Sequence, residues 1–242
     1  MTNTEHPVSR YRQILDRTYA RIADTQMQAL TTAGKWVANR IATGNLIYTL
    51  GSGHSLLVAI EMYYRAGGLA NFDVIHDKTF GRAERLLGYA KVLLESYPIS
   101  ANDLLILVSN SGRNELTVEM ALEARQRCIQ TIAITSLAHS LSAAPRTASG
   151  LRLSEVADLV IDNCGIPGDA SLEIPSARGP VVTGPTSTAA GIFIANCIVS
   201  IAVQELIDRN FDPPVFVSAN TDAGDQKNQS LIKFLRERIR GL

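Results

Sequence analysis

At 242 residues, 46% apolar and 19% charged, the chain can bury one sizeable core as a single α/β domain with an appendage, and it leaves little room for a second full domain. Its 23 basic and 23 acidic residues cancel and no Lys/Arg block runs along it, which argues against nucleic acid or an anionic membrane as a partner. Three cysteines, Cys128, Cys164 and Cys197, are odd in number and lack C-x-x-C spacing, a usage that suits core thiols in a reducing compartment better than a disulfide framework.

The polar start, Met1 to Pro7, lacks the apolar stretch of a signal peptide. From Val8 to Ile41 the residues Tyr11, Leu15, Ile22, Leu30, Val37 and Ile41 fall on one helical stripe with Arg and Asp between them, which predicts a long amphipathic helix. Such a helix either packs back on the domain or pairs with a second subunit. Its length favours the second, and a homodimer is the expectation.

An alternation follows: strand 46–50, helix 55–66, strand 72–75, helix 82–96, strand 104–108, helix 114–127, then strands 131–135 and 157–161. This βαβ repetition predicts a parallel sheet covered by helices on both faces. The connections 136–154 and 163–183 are long and rich in Gly, Pro and Ser, the second containing a short run at 171–174. They read as lids over a site or as surface excursions. A buried helix is expected from Thr188 to Asp208. Its most apolar part, Gly191 to Val203, contains Asn196 and is too short to span a bilayer, so a cytoplasmic protein is expected. After Asp212-Pro-Pro214, Val215-Phe-Val217 reads as a short strand and Gln226 to Arg240 as a terminal helix. The expected organisation is thus 1–44 for the N-terminal helix, 45–211 for the main domain, and 212–242 for a tail packed on that domain.

Three segments bring glycine and small hydroxyl residues to a helix start: Gly51-Ser-Gly-His-Ser55, Ser109-Asn-Ser-Gly112 and Gly184-Pro-Thr-Ser-Thr188. Backbone N–H groups and the positive end of the helix dipole converge at such starts, and hydroxyls add neutral donors, which is what a phosphate group requires. The first segment is a poor dinucleotide fingerprint, because Leu56 occupies the third glycine position. No G-x-x-x-x-G-K-[ST] loop, H-E-x-x-H pair or G-x-S-x-G elbow occurs, and no three His, Cys or carboxylate residues have a local metal-ligand spacing. No cofactor and no metal are expected.

With these turns the chain resembles the sugar isomerase (SIS) domain family, which binds or converts phosphosugars, over about Leu46 to Leu206. The N-terminal helix and the tail Val217 to Asp225 are further similar to a subgroup of stand-alone SIS proteins. The resemblance implies a flavodoxin-like three-layer α/β sandwich with a mainly parallel sheet, and a sugar phosphate as small-molecule partner. Carried over residue by residue, Ser55, Ser109 and Ser111 match the family's phosphate-binding positions. Asn110 lies within that turn, and Asn114 stands where Ser or Thr is usual. Gly53, Thr186, Ser187 and Thr188 complete the implied ligand shell.

Aldose–ketose isomerisation moves a proton between adjacent carbons through an enediolate, and needs a base against the C–H with an acid near the oxygens. The family's arabinose-phosphate isomerases have a lysine where His54 stands and a glutamate before a Cys-Pro turn similar to Asp162-Asn-Cys-Gly165. This implies Asp162 as base and His54 as the polarising or ring-opening group. Their C-terminal His-Pro-Gly-Gly stretch has no counterpart here. Glu61 stands where phosphoheptose isomerases have a histidine, and their glutamate one turn later is Arg65. Glu61 and Glu115 each read as a solvated helix carboxylate or a catalytic one. Asp169, Asp222 and Asp225 are further carboxylates in loops. His76 reads as structural, His6 and His139 as tail and loop, and Arg82 and Arg85 as a solvated helix face. The resemblance therefore implies a sugar-phosphate isomerase. The alternatives are a non-catalytic phosphosugar sensor acting on a protein partner, or an amino-sugar-phosphate lyase or etherase.

Overall fold

The structure, a computed structural model, describes residues 5–218 and 222–239. Five strands, β1 (Ile47–Gly51), β2 (Phe72–Val74), β3 (Leu104–Val108), β4 (Gln130–Thr135) and β5 (Leu159–Asp162), pair in the order β2-β1-β3-β4-β5, and every pairing is parallel. This is the flavodoxin-like order, in which the winding direction reverses between β1 and β3 and opens a crevice beyond their C-terminal ends.

The strands are continuous apolar runs because both faces are covered. In β3, Leu104, Ile106 and Val108 face one core with residues of helices α1 (Pro7–Ala42), α2 (Ser55–Glu61) and α7 (Ser187–Asp208). Leu105 and Leu107 alternate into the opposite core with α3 (Tyr89–Glu95), α4 (Glu115–Gln126) and α8 (Asp222–Leu235). Each large side chain fully buried this way contributes about 1.5–3 kcal/mol relative to exposure.

The N-terminal helix runs 36 residues, about 54 Å at 1.5 Å per residue. It lies along α7, burying Ile22, Leu30, Val37 and Ile41, and so packs back on its own domain. Contact is close at Gly34, where a Cβ would come within 2.4 Å of Ile201 Cγ2. Helix α7 starts one residue before the expected 188–208 and, at 22 residues, is by length and composition long and apolar enough to cross a membrane, where its apolar run 191–203 alone reads as too short. Here its buried stripe, Ala190, Gly191, Ile194, Ile198, Ala202 and Leu206, packs as a core helix against α1 and α2.

Several boundaries differ from the sequence reading. Helix α2 ends at Glu61 rather than 66, because Tyr64 adopts a left-handed backbone conformation ahead of the Gly67-Gly68 pair. Residues 82–88 form turns, and α3 begins only at Tyr89, where the Glu119 carboxylate accepts from the Gly88 and Ala90 N–H groups at 2.8 and 3.2 Å. The long connections carry structure of their own: short helices α5 (Leu137–Leu141) and α6 (Leu153–Val156), and an antiparallel hairpin of β6 (Ala170–Ile174) and β7 (Val181–Pro185). Val215 forms a single antiparallel bridge to Leu69 instead of a strand. Of the tail 217–225, residues 219–221 lie outside the described residues, while Asp222 and Asp225, read as loop carboxylates, fall in the first turn of α8.

Candidate functional site

The crevice between β1 and β3 follows from the end of the ladder. Within the sheet, Leu104 N–H donates to Leu46 C=O, and that register would carry Asn110 N–H to Ser52 C=O. The chain turns away after Gly51, and the Ser52 carbonyl accepts from Ser55 N–H instead. Asn110 N–H is left without an acceptor among the described residues, and so are the N–H groups of Ser111, Arg113 and Asn114.

The turn that presents them is held from inside. Ser109 is buried, its N–H donates to Ile134 C=O, and its Oγ accepts from Gly112 N–H at 3.2 Å. Gly112 has φ +57°, and a Cβ there would lie 2.8 Å from Thr135 Oγ1, so only glycine fits. Arg113, 8% exposed, donates Nε–H to Ala144 C=O at 2.7 Å and forms no ion pair among the described residues. Arg113 thus belongs to the turn whose amides are unused, but its guanidinium is tied to the Ala144 carbonyl of the 143–148 loop, and it is the free amides that favour an anion. Sequence reasoning passed over Arg113, because nothing in a linear pattern says that an arginine will be buried.

A narrow cleft with room for about one water opens beside this turn, lined by Ser55 and Val58 of α2, Asn110, Asn163, and Ser187, Thr188 and Gly191 of α7. The side chains of Ser55, Ser111 and Thr188 make no hydrogen bond among the described residues. Asn163 is a further residue the sequence reading did not select. Its Oδ1 accepts from Gly165 N–H and its Nδ2 donates to Asn110 Oδ1, both at 2.9 Å. That anchor fixes the Asn110 amide, whose Nδ2 then points to His139 Nδ1 at 3.4 Å. His139, read as a loop residue, therefore stands behind the lining, against the Asn110 amide.

The start of α7 is organised differently from the other two turns. Thr186 N–H and Ser187 N–H both donate to Asp169 Oδ1, at 3.0 and 2.8 Å, and Ser187 Oγ donates to Asp169 Oδ2 at 2.7 Å. The protein's own carboxylate occupies the end of that helix dipole, and Ser187 and Thr188 enter the cleft wall as side chains. Asp169→Ala is expected to lower stability by about 1–2 kcal/mol through loss of this cap, read as a shift in urea midpoint. No shift would show that the cap contributes nothing.

The candidate acid/base groups are placed as follows. His54 is exposed at the start of α2, with no side-chain hydrogen bond among the described residues. Gly53 has φ +58° in the same turn. Asp162 Oδ1 accepts from Leu137 N–H and Cys164 N–H, each at 3.0 Å, leaving Oδ2 uncommitted. Burial first, then the Asp162 charge, pushes the Cys164 thiol up, so it stays protonated behind that carboxylate. Glu61 pairs with Arg65 and accepts from Asn196 Nδ2, so it is not a free carboxylate. Glu115 is buried and accepts from Ala148 N–H at 2.8 Å, which ties down the 143–148 loop. Asn114 donates Nδ2–H to Glu84 Oε2 at 2.9 Å. His76, Arg82 and Arg85 are exposed, and His6 caps the first helix.

Against known proteins, the SIS domain profile matches residues 10–136, which include both turns beside the β1/β3 crevice. The UPF0309 protein of Shouchella clausii is 36% identical, across 96% of this chain and 98% of the relative. This chain belongs to the SIS domain family. The SIS fold is shared with a phosphoheptose isomerase from Francisella tularensis, at a TM-score of 0.58 and 15% identity over 81% of this chain and 96% of that one. The Vibrio vulnificus NanR protein, solved in complex with ManNAc-6P, matches at 0.55 and 13% identity over 99% of this chain and 72% of its own. In this SIS protein the turn 109–114 and the cleft beside it are the candidate site.

Proposed function

We propose that this SIS protein binds a phosphorylated sugar in the β1/β3 crevice, with the phosphate on the turn 109–114 and the sugar running outward from the cleft beside it. The observation that carries this reading is the set of four N–H groups at Asn110, Ser111, Arg113 and Asn114 with no acceptor among the described residues, beside the free hydroxyls of Ser55 and Ser111. The ManNAc-6P held by a protein of the same fold and the sugar phosphates named for others supply the ligand class. The cleft lining, Ser, Thr and Asn with Val58, Val108 and Ile134, suits a neutral polyol.

The finer proposal is aldose–ketose isomerisation, with Asp162 Oδ2 as the base and His54 as the acid at the mouth. It calls for solvent deuterium at C2 of the sugar phosphate in D₂O. The second reading, a non-catalytic sensor, is favoured by one observation: none of the residues lining the cleft is titratable. It predicts binding with no exchange.

A thermal-shift screen of pentose, hexose, heptose and amino-sugar phosphates beside their unphosphorylated parents tests the common part. A ligand at about 100 times its Kd is expected to add roughly 2.7 kcal/mol of stability, and only the phosphorylated form should do so. Equal shifts from the parent sugars would remove the phosphate assignment. The proposal includes a homodimer, so the same protein should sediment at twice its 26.2 kDa.

A further inference from the structure

The segment between β2 and α3 reaches both turns of the crevice. Its first anchor is Asp77, 1% exposed, which accepts five hydrogen bonds. Oδ2 takes Ser52 Oγ–H at 3.0 Å and Gly81 N–H at 2.8 Å; Oδ1 takes Thr79 N–H at 2.9 Å, Thr79 Oγ1–H at 2.6 Å and Tyr89 O–H at 3.1 Å. Burial raises this carboxyl, but the bonds from Thr79, Gly81 and Ser52 outweigh it and hold Asp77 below its ordinary value, ionised. Gly81 then lies against the first turn: a Cβ on it would be 3.1 Å from Gly53 N and 3.3 Å from Ser52 Oγ. The second anchor is Glu84. Its carbonyl accepts from Leu116 N–H at 3.0 Å and its Oε2 accepts from Asn114 Nδ2–H at 2.9 Å, so it grips the start of α4.

We propose that residues 77–84 form a strap that sets the separation between the turn after β1 and the turn after β3, with Asp77 and Glu84 as its positioning residues. The inference rests on the phosphosugar reading for its functional part. The two turns belong to adjacent strands whose ladder has ended, so no backbone pairing holds them at a fixed distance. A ligand that spans both turns is bound well only if that distance is preset, since ordering the turns on binding would be subtracted from affinity. The strap supplies a buried ionic hub at one end and a backbone-plus-amide grip at the other. Neither anchor touches the ligand.

Asp77→Asn, Glu84→Gln and Ser52→Ala test this in the full chain. Asp77→Asn replaces one acceptor oxygen by an N–H₂ that cannot accept from Gly81 N–H, while Ser52→Ala cuts only the bridge and serves where Asp77→Asn does not fold. Hydrogen exchange of the free protein reads the strap without any ligand. Asp77→Asn and Ser52→Ala should speed exchange at residues 51–57, and Glu84→Gln at 110–118. The affinity for whichever sugar phosphate stabilises the wild type should fall at least tenfold in each variant. The Asp77→Asn/Ser52→Ala double variant should lose no more than Asp77→Asn alone, a coupling that general destabilisation would not produce. Faster exchange with unchanged affinity would leave the strap a structural element and overturn the proposal, as would unchanged exchange. A wild type that binds no sugar phosphate would instead sink the phosphosugar reading, with the exchange data still deciding whether the strap holds the turns.

Discussion

Gly51→Ala should destabilise the protein by about 3 kcal/mol, the upper end of the usual cost of overpacking a tight site. The reason is backbone, not side chain. A Cβ at Gly51 would lie 2.2 Å from Ser55 C=O oxygen and 2.7 Å from Leu56 N, atoms of the first turn of α2 that cannot rotate away. To make room, α2 must lift from the end of β1, and its buried Leu56, Val58 and Ala59 would leave their packing with it. Urea unfolding should show the midpoint falling by about 1–3 M at an unchanged slope, given slopes of about 1–3 kcal/mol per molar. A loss below about 0.5 kcal/mol would mean that α2 can shift freely, and the preset geometry of the first turn would have to be abandoned.

Ser111→Ala should weaken sugar-phosphate binding by about 10–100-fold, the equivalent of the roughly 1.5–3 kcal/mol assigned to a hydrogen bond with a charged group. Its hydroxyl has no partner among the described residues, so the unfolding midpoint should hardly move. Ser109→Ala behaves differently, because that hydroxyl is buried and accepts from Gly112 N–H inside the turn. It should cost about 1 kcal/mol of stability as well as affinity. Titration calorimetry beside thermal unfolding separates the two. If Ser111→Ala binds as tightly as wild type, the phosphate does not sit on this turn.

The parts of the fold that follow local rules were legible in the chain. Strand runs such as Leu104 to Val108 are apolar at every position because both faces are buried, and the 3.6-residue stripe of Tyr11, Leu15, Ile22, Leu30, Val37 and Ile41 marked the first helix. Interruptions were harder to read. Residues 82–88 have helix-forming composition, yet the Asp77 hub and the Glu119 cap hold them as turns, and both partners are remote in sequence or need burial to act. The same applies to the α7 start, where Thr186-Ser-Thr188 reads as an open anion site until Asp169, 17 residues away, is seen to fill it.

By itself, then, the sequence determined the α/β class, the parallel strands, the long first helix and the two serine- and glycine-bearing turns. These depend on periodicity, residue size and backbone freedom, which are properties of neighbours in the chain. The tertiary structure decided which donors remain free, which carboxylates are already committed, and that Arg113, Asn163 and Asp77 belong to the site region at all. Those outcomes depend on which groups meet across strand ends after burial has removed water as the competing partner. Hydrogen bonding between residues tens of positions apart leaves no periodic trace in the chain that encodes it.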